Sequence, residues 1–284
     1  MPDVAAIRPR GPYSLALTAR YASDATRVFR DGVLTSLVPA GSGAELTHAR
    51  QRPDGVVEIA APSDEAVARV RFVLGIDDDH TEFLRRFRGD PLLGRAIAQL
   101  RGLRVLRLPT VAAALLRALC GQLIESKRAR SLERSIVRAT STRYGDFWVP
   151  PTSASLASVA PARLRALGLH ARRGATLVRI CSSLELERLR AVAPERAASR
   201  LLRERGLGAW SVGVISLEGL GSYRFGLNGD LGLLKLFAAV HGRWAAPGED
   251  ATLLAPYGEW EGLASVYLLL GFERGLLPLP ALAA

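Results

Sequence analysis

The sequence predicts an α+β fold: an N-terminal antiparallel sheet domain with one helix over residues 1–80, then a mostly α-helical core over 81–284. Three observations carry this. Stretches before residue 62 alternate apolar and polar positions around turn signals. After residue 80, apolar residues recur at helical spacing between capping residues. Apolar residues make up 49% of the 284, enough for a sizeable core and against wholesale disorder.

SLALTARYA (14–22) and GVLTSLVPA (32–40) alternate in part and read as strands. AELTHARQRPDGVVEIAAP (44–62) holds two alternating runs around Arg52-Pro53-Asp54-Gly55, a hairpin signal. PSDEAVARVRFVLG (62–75) opens with Ser63 as N-cap and acids in the first turn, so a helix follows the strands. TVAAALLRALC (110–120) starts a helix on Thr110 after Pro109. Gly121-Gln122-Leu123-Ile124 then interrupts it or joins it to the amphipathic ESKRARSLERSIVRATSTRYG (125–145), which reads as ending on Gly145. DFWVPPTSAS (146–155) is a connection. Further helices are expected at 162–168, 172–189, 193–206, 229–242 and 259–272, with GLLPLPALAA as a surface tail. No repeat of roughly 20–50 residues stands out.

The net charge is +11 with a pI near 10.6, and nearly all the cations are Arg. Arg binds phosphate bidentately and stacks on bases, so a polyanionic partner is one explanation. A GC-rich coding sequence, which inflates Arg, Ala and Leu together, is the other. Two distant cysteines, Cys120 and Cys181, can build neither a four-cysteine zinc site nor an iron–sulfur cluster, and read as buried free thiols. The four histidines have no ligand spacing. No apolar run reaches the roughly 18 residues a bilayer span needs, and the N-terminus shows no signal peptide. A cytoplasmic protein is expected.

GLGAWSVG (206–213) admits three readings. A dinucleotide loop needs a preceding strand and a third glycine. Here PERAASRLLRERG reads as a helix and the glycine is missing, although Asp230 stands about where the acidic partner would. A helix-hairpin-helix fits better: Gly206 takes a positive φ, Gly208 lets backbone approach a ligand, and N–H groups opening the second helix bind one DNA phosphate. A plain Gly-capped turn between core helices also remains.

LLRERGLGAWSVG followed by NGDLGLLKL resembles the helix-hairpin-helix DNA glycosylase superfamily. LLRALCGQLIESKRARSL (115–132) resembles its Q-h-h-S segment, and PTSASLASVAPARLRALGLHARRGATL (151–177) its next block. With the N-terminal sheet and PYSL (12–15), the branch it resembles most is 3-methyladenine DNA glycosylase II, over roughly residues 10–272. The resemblance implies a two-lobed helical core, a hairpin motif at about 196–219 and an active site in the cleft between the lobes.

Glycosylases pass through an oxocarbenium-like state that a fixed carboxylate stabilises. The resemblance puts that role on Asp230, which also suits a helix cap; the two are compatible. It implies phosphate contacts at Gly206, Gly208, Ala209 and Ser211. Lyase relatives carry a Schiff-base Lys where Trp210 stands, so a monofunctional enzyme is expected. Trp210 then suits a pocket for a cationic alkylated base, or is a core aromatic. Gln122 and Leu123 would enter the duplex when the base flips, Leu123 as wedge, unless Leu123 is buried between two helices. Leu202, Glu204 and Leu207 would offer carbonyls to a structural monovalent cation, Na or K; no other cofactor is implied.

Two departures stand out. Val214 occupies a position where relatives place an aromatic pocket residue. In EWEGLAS (259–265), Trp260 is retained as a pocket residue, but Glu261 replaces an Arg and Leu263 a Tyr. The expected activity is excision of alkylated purines from damaged double-stranded DNA by a monomer, in base excision repair. The rivals are a DNA-binding module without excision and a glycosylase for other lesions such as deaminated bases.

Overall fold

The computed structural model describes residues 3–279. Its N-terminal part is a five-stranded antiparallel sheet in the order β1-β5-β4-β3-β2. The strands are β1 (Asp3–Ile7), β2 (Arg27–Arg30), β3 (Val33–Ala40), β4 (Gly43–Gln51) and β5 (Val57–Ala61). The hairpin expected around residues 52–55 joins β4 to β5, pairing Gln51 with Val57. Between β1 and β2, residues 14–22 form no strand but the short helix α1 (Leu15–Ala19). Ser14 caps it by accepting from Leu17 N–H, and buried Leu15, Thr18 and Ala19 follow the 3–4 spacing of a helix face rather than alternation. The helix after the sheet is α2 (Asp64–Leu74), capped by Ser63 and ended by left-handed Gly75.

The helical part begins with α3 (Thr81–Arg86), α4 (Gly94–Gln99) and α5 (Val111–Gly121), the last capped by Thr110 as expected. α6 (Ser126–Thr140) stops five residues before Gly145. Gly145 instead turns a two-stranded hairpin, β6 (Arg143–Tyr144) with β7 (Phe147–Trp148), because its φ of 59° suits a tight turn. Then follow α7 (Ser153–Ala157), α8 (Pro161–Ala166) and α9 (Ala171–Ser183). The helix expected over 172–189 stops at Ser183, and its last residues fall in a separate 3₁₀ segment, Leu186–Ala191. α10 (Pro194–Leu202), α11 (Ala209–Val214), α12 (Leu231–His241) and α13 (Glu261–Glu273) complete the chain.

Two helical cores result. One joins α5, α6, α9, α10 and α11 around Leu115, Ile136, Leu177, Leu201 and Val212. The other joins α3, α4, α12 and α13 around Phe83, Leu93, Leu236 and Tyr267. The sheet packs its own core on α1 and α2. The tail expected as a surface extension folds back: Leu277 is buried in the second helical core, while residues 280–284 lie outside the described residues. No helix among the described residues is long and apolar enough to cross a membrane. Cys120 and Cys181 are free and buried; burial pushes the Cys181 thiol up to about 12.

Candidate active site

The hairpin between α10 and α11 requires its first glycine. Gly206 has a φ of 97°, and a Cβ there would lie 2.8 Å from Thr176 Oγ1. Gly208 is the N-cap of α11, with no capping side chain and open space where its Cβ would be. The N–H groups of Ala209, Trp210 and Ser211 thus open a helix at an uncovered glycine, the arrangement that binds an anion. Glu204 braces the turn from below, accepting from Arg179 Nη1 at 2.5 Å and Arg200 Nη1 at 2.6 Å, while Arg179 Nη2 donates to the Arg205 carbonyl at 2.8 Å. The Arg179 hydrogen bond is the main cause holding the Glu204 carboxyl below its ordinary range. Among the described residues the Leu202 and Leu207 carbonyls accept no hydrogen bond, and the Glu204 carbonyl accepts one, from Leu207 N–H at 3.1 Å. Free carbonyl oxygens are ligands a monovalent cation takes, so the donor set fits one.

The loop between α5 and α6 is tied to this hairpin. Gln122 Nε2 donates to the Gly206 carbonyl and to Ser211 Oγ, both at 2.9 Å. Gln122 therefore fastens the loop rather than projecting from it. Its neighbour Leu123 is 96% exposed, which overturns burial between two helices. It also holds a φ of 57°, one of two positive values among the described non-glycine residues. An L-residue there costs about 1–2 kcal/mol, and the conformation turns an apolar side chain into solvent.

Asp230 is the N-cap of α12. Its Oδ1 accepts from Gly232 N–H at 2.8 Å and its Oδ2 from the Trp210 indole N–H at 2.9 Å. Trp210 belongs to the first helical lobe and α12 to the second, so this bond crosses the lobe interface. The outer edge of the Trp210 ring lies on α5, where a Cβ at Gly121 would come within 2.6 Å of Cη2. The structure thus joins Gln122, Gly206, Ser211, Trp210 and Asp230 in one chain of contacts.

Val214 and Trp260 stand outside it. Val214 is 6% exposed, a packing position in the first lobe's core. Trp260 packs on the second lobe among Phe83 at 5.8 Å, His80 at 6.2 Å and Tyr223, stacked at 6.3 Å. Glu261, the first residue of α13, has its carboxyl pushed up by burial against the Gly226 backbone N–H, which draws it down. Sequence reasoning missed the group behind Trp260. Asp78 Oδ2 accepts from Tyr223 Oη at 2.5 Å and Arg107 Nη2 at 2.6 Å. His80 is fully buried beside them, pushed down to about 2 by burial and then by Arg104 and Arg107. The run Asp77-Asp78-Asp79 reads as a solvated loop, and only the fold shows that Asp78 turns inward.

No family model matches the chain. Among solved structures, a 3-methyladenine DNA glycosylase from Archaeoglobus fulgidus superposes with a TM-score of 0.82 over 95% of this chain and 98% of that one, at 20% identity. An 8-oxoguanine glycosylase/lyase from Clostridium acetobutylicum, in complex with double-stranded DNA containing cytosine opposite 8-oxoguanine, gives 0.76 over 96% and 99%, at 15% identity. The fold is that of these two DNA glycosylases. In sequence the chain is similar to the DNA-3-methyladenine glycosylase of Bacillus subtilis (strain 168), 26% identical over 220 residues, 72% of this chain and 71% of that protein.

Proposed function

We propose that the chain is a monofunctional DNA glycosylase of base excision repair, acting as a monomer on alkylated purines of the 3-methyladenine and 7-methylguanine class in duplex DNA. The observation that carries this is the Asp230 carboxylate, fixed by Gly232 N–H and Trp210 Nε1 where the two lobes meet. In this reading the hairpin N–H groups hold one phosphate and Leu123 fills the gap left by the flipped base. The Trp210 ring attracts a cationic alkylated base, which leaves as a neutral molecule without general-acid help. Asp230 stabilises positive charge on the sugar and orients the water that attacks it. Leu202, Glu204 and Leu207 carbonyls would hold a monovalent cation that adds positive charge beside the phosphate.

The name of the Bacillus subtilis relative supports the alkylated-base class. The absence of lyase chemistry rests on Trp210 in the hairpin and on the scarcity of lysine: the chain has only Lys127 and Lys235. Glu261 favours a second reading, binding without excision, because a carboxyl stands where the resemblance expects a cation. A panel of duplexes, each with one defined lesion, separates the two. Alkylated purines are expected to be released, leaving an abasic site. Asp230→Asn is expected to abolish release while sparing binding, and borohydride to trap no covalent adduct. Binding without release from any duplex would leave the second reading standing, and a trapped adduct would refute the monofunctional assignment.

A further inference from the structure

We propose that α6 and the β6–β7 hairpin form a second, sequence-independent contact with duplex DNA, gripping phosphates along one arm beyond the lesion. The inference rests on the reading that duplex DNA is the substrate. Lys127, Arg130, Arg134 and Arg138 are spaced by three, four and four residues, which aligns them on one face of α6. Arg128 stands beside them, and all but the half-buried Arg134 are exposed. None of the five pairs with an acid among the described residues. The one acid inside the helix, Glu133, faces the other way and is held by Arg117 at 3.0 Å. Several exposed arginines elsewhere do have acids: Arg50 with Glu58, Arg71 with Asp77, Arg188 with Glu185. Arginine-rich composition alone does not account for a stripe free of acids. Like charges at this spacing weaken a helix, and a polyanion on the stripe reverses that cost.

Position makes the anion a DNA arm. α6 starts three residues after the exposed Leu123, so the stripe begins beside the wedge. From Lys127 to Arg138 it runs about 17 Å at the helical rise, the axial length of about five base pairs. At its far end the Arg138 and Arg143 guanidinium groups lie 4.8 and 5.4 Å from the Trp148 ring centre, with Tyr144 exposed alongside. Arg163 reaches the same end, donating to the Ala139 carbonyl at 2.9 Å.

The test compares the full chain with two charge-matched triple variants. One is Lys127→Ala, Arg130→Ala, Arg134→Ala on α6; the other is Arg8→Ala, Arg10→Ala, Arg30→Ala on the sheet domain. Affinity for an undamaged duplex is measured against salt. The slope of log K against log salt is expected to flatten by about 2 to 3 for the α6 variant and to stay at the wild-type value for the control. With the lesion near one duplex end and then the other, wild type should bind the two unequally and the α6 variant equally. Base release at saturating duplex should be unchanged, since none of the three cations touches the reacting atoms. Equal flattening in both variants, or none in either, overturns the α6 contact while leaving the glycosylase reading intact. A wild type that binds no duplex defeats both.

Discussion

Trp210 and Asp230 define the site at the scale of single residues. The indole N–H donates to Oδ2 at 2.9 Å, and the ring fits only because α5 ends in Gly121. Trp210→Phe keeps an aromatic face and removes the donor, so pocket and carboxylate alignment become separable. A hydrogen bond to a charged group contributes about 1.5–3 kcal/mol in general; at this half-exposed site about 1.4 kcal/mol, or tenfold in rate, is expected. Single-turnover base release should fall about tenfold while duplex affinity stays near wild type. Unchanged release with weakened binding would mean that Trp210 serves only the pocket. The pairing was not legible in the sequence. Asp230 and the two glycines have recognisable spacing, but the bond depends on how two separately cored lobes meet, and no local pattern encodes that.

The wedge loop shows what an element adds to its residues. Gln122 anchors it through two hydrogen bonds to the hairpin, so the backbone at Leu123 is held from outside. Leu123 combines left-handed backbone with 96% exposure, two features that oppose stability. Local strain of this kind persists where the surroundings over-determine it, commonly at functional positions. Leu123→Gly relieves the strain at a cost in unfolded-chain entropy of about 0.5–1 kcal/mol, so stability should hold within about 1 kcal/mol in urea titrations. Base release from duplex should drop at least tenfold, with much smaller loss on single-stranded DNA, where no gap needs filling. Equal losses on both substrates would show that Leu123 is no wedge. Most helices were legible because their caps are explicit: Ser63, Thr110 and Asp230 each accept a backbone N–H. Residues 14–22 misled because the apolar residues Leu15, Leu17, Ala19 and Tyr21 alternate along the sequence, whereas burial follows positions 15, 18 and 19 of a short helix. The end of α6 misled because Gly145 marks a turn, and a helix stop and a hairpin turn use the same residue for the same φ.

At the scale of the whole molecule, buried ion pairs bind the sheet domain to the first helical lobe, and their titration sets the acid limit of the fold. Asp24 precedes β2, and its carboxylate accepts from Arg27, the first residue of β2, at 3.0 Å and from Arg117 on α5 at 3.4 Å. Arg117 also meets Glu133 of α6 and Glu218 of the π-helical turn after α11. Burial pushes the Asp24 carboxyl up, but Arg27, Arg117 and Thr26 outweigh it and hold it at about 2. A carboxyl lowered on folding contributes stability that is complete above its unfolded value, near 4, and is lost as pH falls towards 2. That contribution is about 2 kcal/mol. His80 acts earlier: held neutral in the fold, it takes up a proton on unfolding below its ordinary value of 6.5. Wild type should therefore lose stability in two stages, from about pH 6.5 through His80 and more steeply from about pH 4 as Asp24 joins. Asp24→Asn should lower stability by about 2 kcal/mol at pH 7 and abolish the second steepening alone, so that the two proteins converge near pH 2. Urea unfolding followed from pH 8 to 2 measures this directly. A variant curve that runs parallel to wild type throughout would mean that the Asp24 charge does not couple the sheet to the helical lobe.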